Sequence, residues 1–407
     1  MADLRVELYG QLVGHLVGTD WRTFDFRTAR EAVERFSLGS TILSEAIPLE
    51  LVPTRARAER RRTFFAELLP EGRVLTRLAA AVDAREHDVV RLLAAYGRDV
   101  AGALQIYDPD RPGEPRTPRT TPLDDDGVAR LLRDVQAQPL GNAPGTGKSS
   151  LAGVQDKVVL ARIDGRWHQV HDGYPSTHLV KPVPDFHPTL IFDEEFGTRL
   201  ARRVGVSASI AWLHDFDGTP GLVIERYDRT AAGERIHQED FSQVLGARGD
   251  QKYQAISGKV SLRRVAGVFG ARGDRSSLGR LLDQVTVAVG IGNLDLHTKN
   301  LSLLHPLDAP PTLAPAYDVV PLRQHENDGQ MALAVDGEYR HAALTVDHLV
   351  AEAESWGVRN PRPRVLDLLA RLRSALSEEE PDPRAHPAVR DLVDGFARNL
   401  LSGSAAG

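Results

Sequence analysis

Apolar and polar positions alternate from Leu4 to Val17 about Gly10, which predicts a β-hairpin over residues 3–18. Arg55 to Ala81 has helical spacing, with Phe64, Leu68 and Leu69 on one face and Leu68-Leu69-Pro70-Glu71-Gly72 as its stop signal. The basic run Arg55–Arg62 reads as a solvated helix face rather than a nucleic-acid patch. Residues 108–124 are rich in Pro, Asp and Thr and predict a linker. Beyond a short helix around Val128–Val135, two strands at 158–164 and 166–170 meet at Asp164-Gly165, a hairpin signal. Ser176–Pro182 reads as another strand, halted by Pro182, and Asp193–Val204 as a helix. Gly221–Arg229 reads as a strand that leaves its apolar run at Glu225. From Gln238 onward the pattern is helical, clearest at Val365, Leu368, Leu369, Leu372 and Leu376.

These elements predict an α+β, two-lobed, kinase-like fold with a β-rich N-terminal part and an all-helical C-terminal lobe. The divisions are a first domain over 1–107, a linker over 108–125, a sheet lobe over 126–237 and a helical lobe over 238–407. Composition narrows the function classes. Fifty basic against 56 acidic residues give a net charge of −6, the wrong sign for a surface that coats nucleic acid. The 407 residues include no cysteine, which excludes disulfide frameworks, thiolate metal sites and thiol nucleophiles. No apolar run reaches the roughly 18 residues that span a bilayer, and Met1–Gly10 lacks the layout of a secretion signal, so a cytoplasmic protein without a membrane partner is expected. Lysine occurs only at 148, 157, 181, 252, 259 and 299, all other basic residues being arginine. A lysine kept in such a chain points to places that need a compact ammonium, such as a phosphate site.

The chemistry concentrates in two segments. Asp295 and Asn300, within Asn293–Asn300, have the D-x-x-x-x-N spacing of a protein-kinase catalytic loop, and Asp318 stands where a second metal-binding aspartate is expected. A carboxylate must accept the proton of the attacking hydroxyl, while an amide oxygen and a second carboxylate hold Mg²⁺. The loop is not H-R-D, its lysine falls four residues after the aspartate, and Asp318-Val319-Val320 replaces D-F-G. Gly147-Lys148-Ser149 ends like a Walker A loop, but Asn142 occupies the first glycine position and the loop leads into strands, which rejects a P-loop NTPase. A glycine-rich loop ahead of a hairpin can still cover phosphates with backbone N–H groups. Lys181 closes a strand where a kinase places its phosphate lysine, with Glu194 or Glu195 as partner. Glu225-Arg226-Tyr227 ends a strand suited to hinge contacts and an aromatic wall for adenine. Asp215–Gly218 lacks the glutamate of a calcium loop and reads as a hairpin turn, and His297 and His305 lack metal-ligand spacing.

At these residues the chain resembles the HipA family of serine/threonine-protein kinase toxins. The matching segments are Ser150–Lys157, Thr177–Pro182, Glu225–Arg229, Gln238–Phe241, Asn293–Asn300 and Ala316–Val319, preceded by Leu68–Gly72 and Gly97–Leu104. The match runs essentially the full length. The resemblance implies Asp295 as catalytic base and Asn300 and Asp318 as Mg²⁺ ligands. It implies ATP held by Leu151, Ala152, Gly153, Val154 and Lys181, with Glu225, Tyr227 and Gln238 around the adenosine and His297 and Lys299 beside it. Ser150, or the adjacent Ser149, matches the serine at which these kinases phosphorylate themselves, displacing the phosphate loop. The implied partner is a HipB-like helix-turn-helix antitoxin that carries the contact with operator DNA. The implied substrate is a protein, an aminoacyl-tRNA synthetase among the candidates. Asp156, the glycine-rich stretch before Ser150 and the arginine-rich surface depart from the pattern and bear on substrate identity. The rival readings are a small-molecule kinase of related fold and a catalytically silent corepressor acting through the antitoxin.

Overall fold

A computed structural model describes residues 3–18, 22–114 and 116–407; the remaining positions of the expected first domain and linker lie outside the described residues. β1 (Asp3–Leu8) and β2 (Gln11–Val17) form the expected hairpin, turning at Tyr9 and Gly10 with φ of 53° and 72°. Two successive positive φ values match the right-handed twist of the flanking strands. With β3 (Asp25–Thr28) and β4 (Leu104–Tyr107) they make an antiparallel sheet in the order β3-β2-β1-β4. Its inward residues Leu4, Val6 and Leu8 share one core with Phe64, Phe65, Leu68, Leu69, Leu92 and Leu93. The helix expected over 55–81 is two helices, Ala58–Ala66 and Gly72–Ala81. Pro70 accounts for the break, since it has no N–H to donate and keeps Leu69 out of helical conformation.

The second sheet has six antiparallel strands in the order β5-β7-β6-β8-β10-β9. They are β5 (Arg119–Leu123), β6 (Val158–Ile163), β7 (Arg166–His171), β8 (His178–Pro182), β9 (Ala211–Phe216) and β10 (Thr219–Glu225). Asp164-Gly165 and Asp217-Gly218 both turn with paired positive φ, as their sequences predict. Part of the expected linker, β5, is the edge strand; Pro122 is tolerated there because an edge leaves one side without ladder bonds. The helix Leu190–Arg203 buries Phe192, Phe196 and Leu200 in a core that also holds Leu222 of β10 and Leu368 and Leu372 of the helix Arg362–Glu378.

The region after Gln238 is not all-helical. It contains a small sheet of β11 (His237–Asp240), β12 (Ser302–His305) and β13 (Thr312–Leu313), and the pair β14 (Gln330–Val335) and β15 (Glu338–Arg340). These runs are two to six residues long, and β11, β12 and β14 are largely buried along their length, so they show neither helical nor alternating periodicity. The helices Arg275–Ile291, Arg362–Glu378 and Val389–Leu401 supply much of the remaining core, with Leu262–Ala271 and Val346–Ser355 packed against them. Among the described residues no helix is long and apolar enough to cross a membrane.

Candidate active site

Lys181 ends β8 with its side chain buried. Its Nζ lies 2.7 and 2.9 Å from the two oxygens of Glu194 and 2.7 Å from Asp318 Oδ1. One ammonium therefore joins the six-stranded sheet, the helix Leu190–Arg203 and the segment after Ala316. Of the two glutamates expected to pair with it, Glu194 does so, and Glu195 pairs with Arg199. Burial alone would raise the Asp318 pKa, but the charge and hydrogen bond of Lys181 outweigh it and hold the group at about 2. The two carboxylates in turn keep Lys181 protonated against the desolvation that burial imposes. Asp318 sits at φ 54°, a left-handed conformation uncommon for a side chain with Cβ.

The helix Arg275–Ile291 ends on Gly292 in the left-handed region, and Asn293 N–H returns to Ala288 O at 2.8 Å. This stop sets Asn293 between the two aspartate segments. Its Oδ1 accepts from Asp295 N–H at 3.1 Å, and its Nδ2 donates to Asp318 O at 3.4 Å. Asn300 Nδ2 donates to Asp295 O at 2.9 Å, which leaves the amide oxygen as its ligand-capable end. Burial first, and the Asp318 charge second, raise Asp295 to about 6. Tyr253 donates its hydroxyl to Asp295 Oδ1 at 3.2 Å, and His297 Nε2 lies 3.7 Å from Oδ2. Burial, then Lys252, push His297 down to about 3, so its ring is neutral. Lys299, expected beside the nucleotide, has its ammonium paired with carboxylates, Glu67 at 2.5 Å and Glu71 at 3.3 Å.

The loop ahead of β6 is docked. Ser150 is fully buried, its N–H donating to Asp99 O and its hydroxyl to Leu68 O, both at 3.0 Å. The Ser149 hydroxyl meets Asp99 Oδ2 at 3.2 Å. Leu151 is buried, Ala152 and Gly153 are partly covered, and Val154 is exposed. Lys157 Nζ donates to Ala152 O at 3.2 Å, and burial, then Lys181, lower that ammonium to about 8. On the other side of the junction Tyr227 stacks on Tyr317 at 4.9 Å between centroids and donates its hydroxyl to Gln238 Oε1. Glu225 reaches His178 at 3.9 Å with a largely exposed carboxylate.

Among the described residues no group of three or more His, Asp or Glu side chains forms a ready-made metal cage. Mg²⁺ needs none, because it takes one or two carboxylates together with phosphates and water. The ionised, part-exposed Asp318 and the amide oxygen of Asn300, whose Nδ2 is the end taken up by Asp295 O, fit that requirement. Sequence spacing did not point to Tyr253, Glu67, Glu71 or Asp99. Each reaches the site across a long stretch of chain; the match of Leu68–Gly72 and Gly97–Leu104 to the family was the only trace of Glu71 and Asp99, and Glu67 lay just ahead of it.

Two family models match the chain, the HipA N-terminal domain over residues 4–107 and the HipA-like C-terminal domain over 149–379. The chain belongs to the HipA family. One relative, "Putative kinase Y4mE" of Sinorhizobium fredii, is 33% identical over 383 residues, covering 90% of this chain and 88% of that protein. The serine/threonine-protein kinase toxin HipA of Shewanella oneidensis is 28% identical over 81% of this chain and 78% of its own length. A solved structure of Shewanella oneidensis HipA with HipB and operator DNA superposes with a TM-score of 0.79 at 24% identity, covering 98% and 96% of the two chains. The HipA kinase-like fold is thus shared end to end.

Proposed function

We propose that this HipA-family protein is an ATP- and Mg²⁺-dependent protein serine/threonine kinase and the toxin of a toxin–antitoxin pair. The observation that carries the reading is the bridge of Lys181 between Glu194 and Asp318, with Asn293 tying Asp318 to Asp295. Phosphoryl transfer asks a protein mainly for positioning and charge neutralisation. Lys181 supplies a fixed positive charge to the phosphates. Asn300 and Asp318 offer the oxygens for Mg²⁺, which when bound neutralises charge developing on the transferred group. Asp295 orients the substrate hydroxyl and accepts its proton, with Tyr253 fixing the carboxylate's orientation. Leu151–Val154 cover the nucleotide, and Glu225, Tyr227 and Gln238 border its adenosine.

Ser150 is the proposed autophosphorylation site, with Ser149 as its neighbour. The buried Ser150 hydroxyl must leave Leu68 O to react. A phosphate added there brings about −1.5 to −2 charges and no donor for that carbonyl, so the loop cannot dock again. The solved complex of a relative with HipB and operator DNA supports a HipB-like antitoxin as partner, through which operator DNA would be contacted; the substrate we propose is a cytoplasmic protein, an aminoacyl-tRNA synthetase among the candidates. Incubation with γ-labelled ATP and Mg²⁺ tests the reading. Label is expected on wild type, absent in Asp318→Ala, and absent from the loop in Ser150→Ala. Nucleotide binding without transfer to any protein would favour the silent corepressor instead.

A further inference from the structure

The helix break at Pro70 leaves a turn, Glu67–Gly72, that touches both halves of the site. Toward the phosphate loop, Glu71 N–H donates to Gly153 O at 3.3 Å and Leu68 O accepts the Ser150 hydroxyl at 3.0 Å. Leu151 packs into the same core as Leu68 and Leu69. Toward the catalytic loop, Glu71 meets Lys252 at 2.7 Å and Lys299 at 3.3 Å, and Glu67 meets Lys299 at 2.5 Å. Lys252 precedes Tyr253, which holds Asp295, and its carbonyl accepts from Thr298 at 3.3 Å. Lys252 and Lys299 have buried side chains, so removing a carboxylate partner leaves a buried ammonium without its ion pair.

We propose that Glu71, backed by Glu67, is a positioning residue that clamps the phosphate loop and the catalytic loop at one fixed separation, so that the first domain completes the transfer site. The inference rests on the kinase reading for its chemistry, while the clamp itself can be tested without it. Glu71 touches no reacting atom. It acts through a backbone contact on one loop and two ammonium groups on the other.

The test uses the full chain with Glu71→Gln, which keeps the size and the backbone N–H, and Glu71→Asp, which keeps the charge. A lysine-specific protease reports loop docking, because lysine stands at 148 and 157 in the loop and at 181 on β8, outside the clamp. Without nucleotide, Glu71→Gln is expected to be cut at 148 and 157 at least about fivefold faster than wild type, with 181 unchanged. Its kcat is expected to fall by about tenfold to a hundredfold, a loss typical of slight misplacement, with Glu71→Asp recovering part of it. Equal cutting of wild type and Glu71→Gln overturns the clamp, whatever the activity. Faster cutting at 181 as well overturns it too, as general loosening. Faster loop cutting with unchanged kcat overturns the positioning role. If wild type transfers no phosphate, the kinase reading fails with that role, while the cutting pattern still decides the clamp.

Discussion

Asp295, the base we propose, must be ionised to work, and burial together with the Asp318 charge lifts its pKa to about 6. A raised carboxylate pKa means the base is lost as pH falls, so kcat/KM is expected to drop below pH 6 and level off above it, measured on the free enzyme with saturating Mg²⁺. Asp295→Asn is expected to lower kcat by about 10²–10⁴-fold, the usual worth of general acid–base catalysis. Its melting temperature should stay close to wild type, because the Asp295 side chain is half-exposed and a neutral amide of the same shape takes its place. Lys181 behaves in the opposite way. Removing it leaves Glu194 and Asp318 without their buried cation, so Lys181→Ala is expected to lose about 3–5 kcal/mol of stability in chemical denaturation. Asp295, Asn300, Asp318 and Lys181 were visible in the sequence because kinase chemistry demands those types at those intervals. Lys299 was visible as a scarce lysine, but its partners, Glu67 and Glu71, lie far away along the chain.

At the scale of elements, the helix Leu190–Arg203 is pressed against the segment that follows Asp318. A Cβ on Gly197 would stand 2.3 Å from Val319 O and 2.7 Å from Pro321. Backbone cannot yield as a side chain can, so Gly197→Ala must push the helix carrying Glu194 away from Asp318. Such overpacking typically costs about 1–3 kcal/mol, seen as a lower melting temperature, and nucleotide affinity should fall with it. The hairpins at Asp164-Gly165 and Asp217-Gly218 were readable because turn geometry is written into two residues. β5 and the β11–β12–β13 sheet were not, because their strand character comes from partners that the local pattern does not reveal. Pro70 stood in plain view inside a helical pattern, and only its effect on the site was hidden.

For the whole molecule, the first sheet's core does not stop at a domain edge. Leu140, Leu151 and Val159 belong to the same buried cluster as Leu4, Phe65 and Leu92. Asp99 lies within 3.1 Å of Arg229 and 3.8 Å of Arg226, so the early chain is also bound by buried ion pairs to the segment after β10. A fragment of residues 126–407 is therefore expected to show no cooperative thermal transition, whereas the full chain melts in one step.

The central claim is that Lys181 and Asp318 act as one transfer centre. It is tested most directly by the rate of label transfer from ATP in Lys181→Ala, Asp318→Ala and the double variant, each checked to be folded. Residues that act as a unit lose most of their effect together, so the double variant is expected to be about as slow as the slower single one. Near-wild-type transfer in either single variant, or losses that simply multiply in the double, would contradict the account.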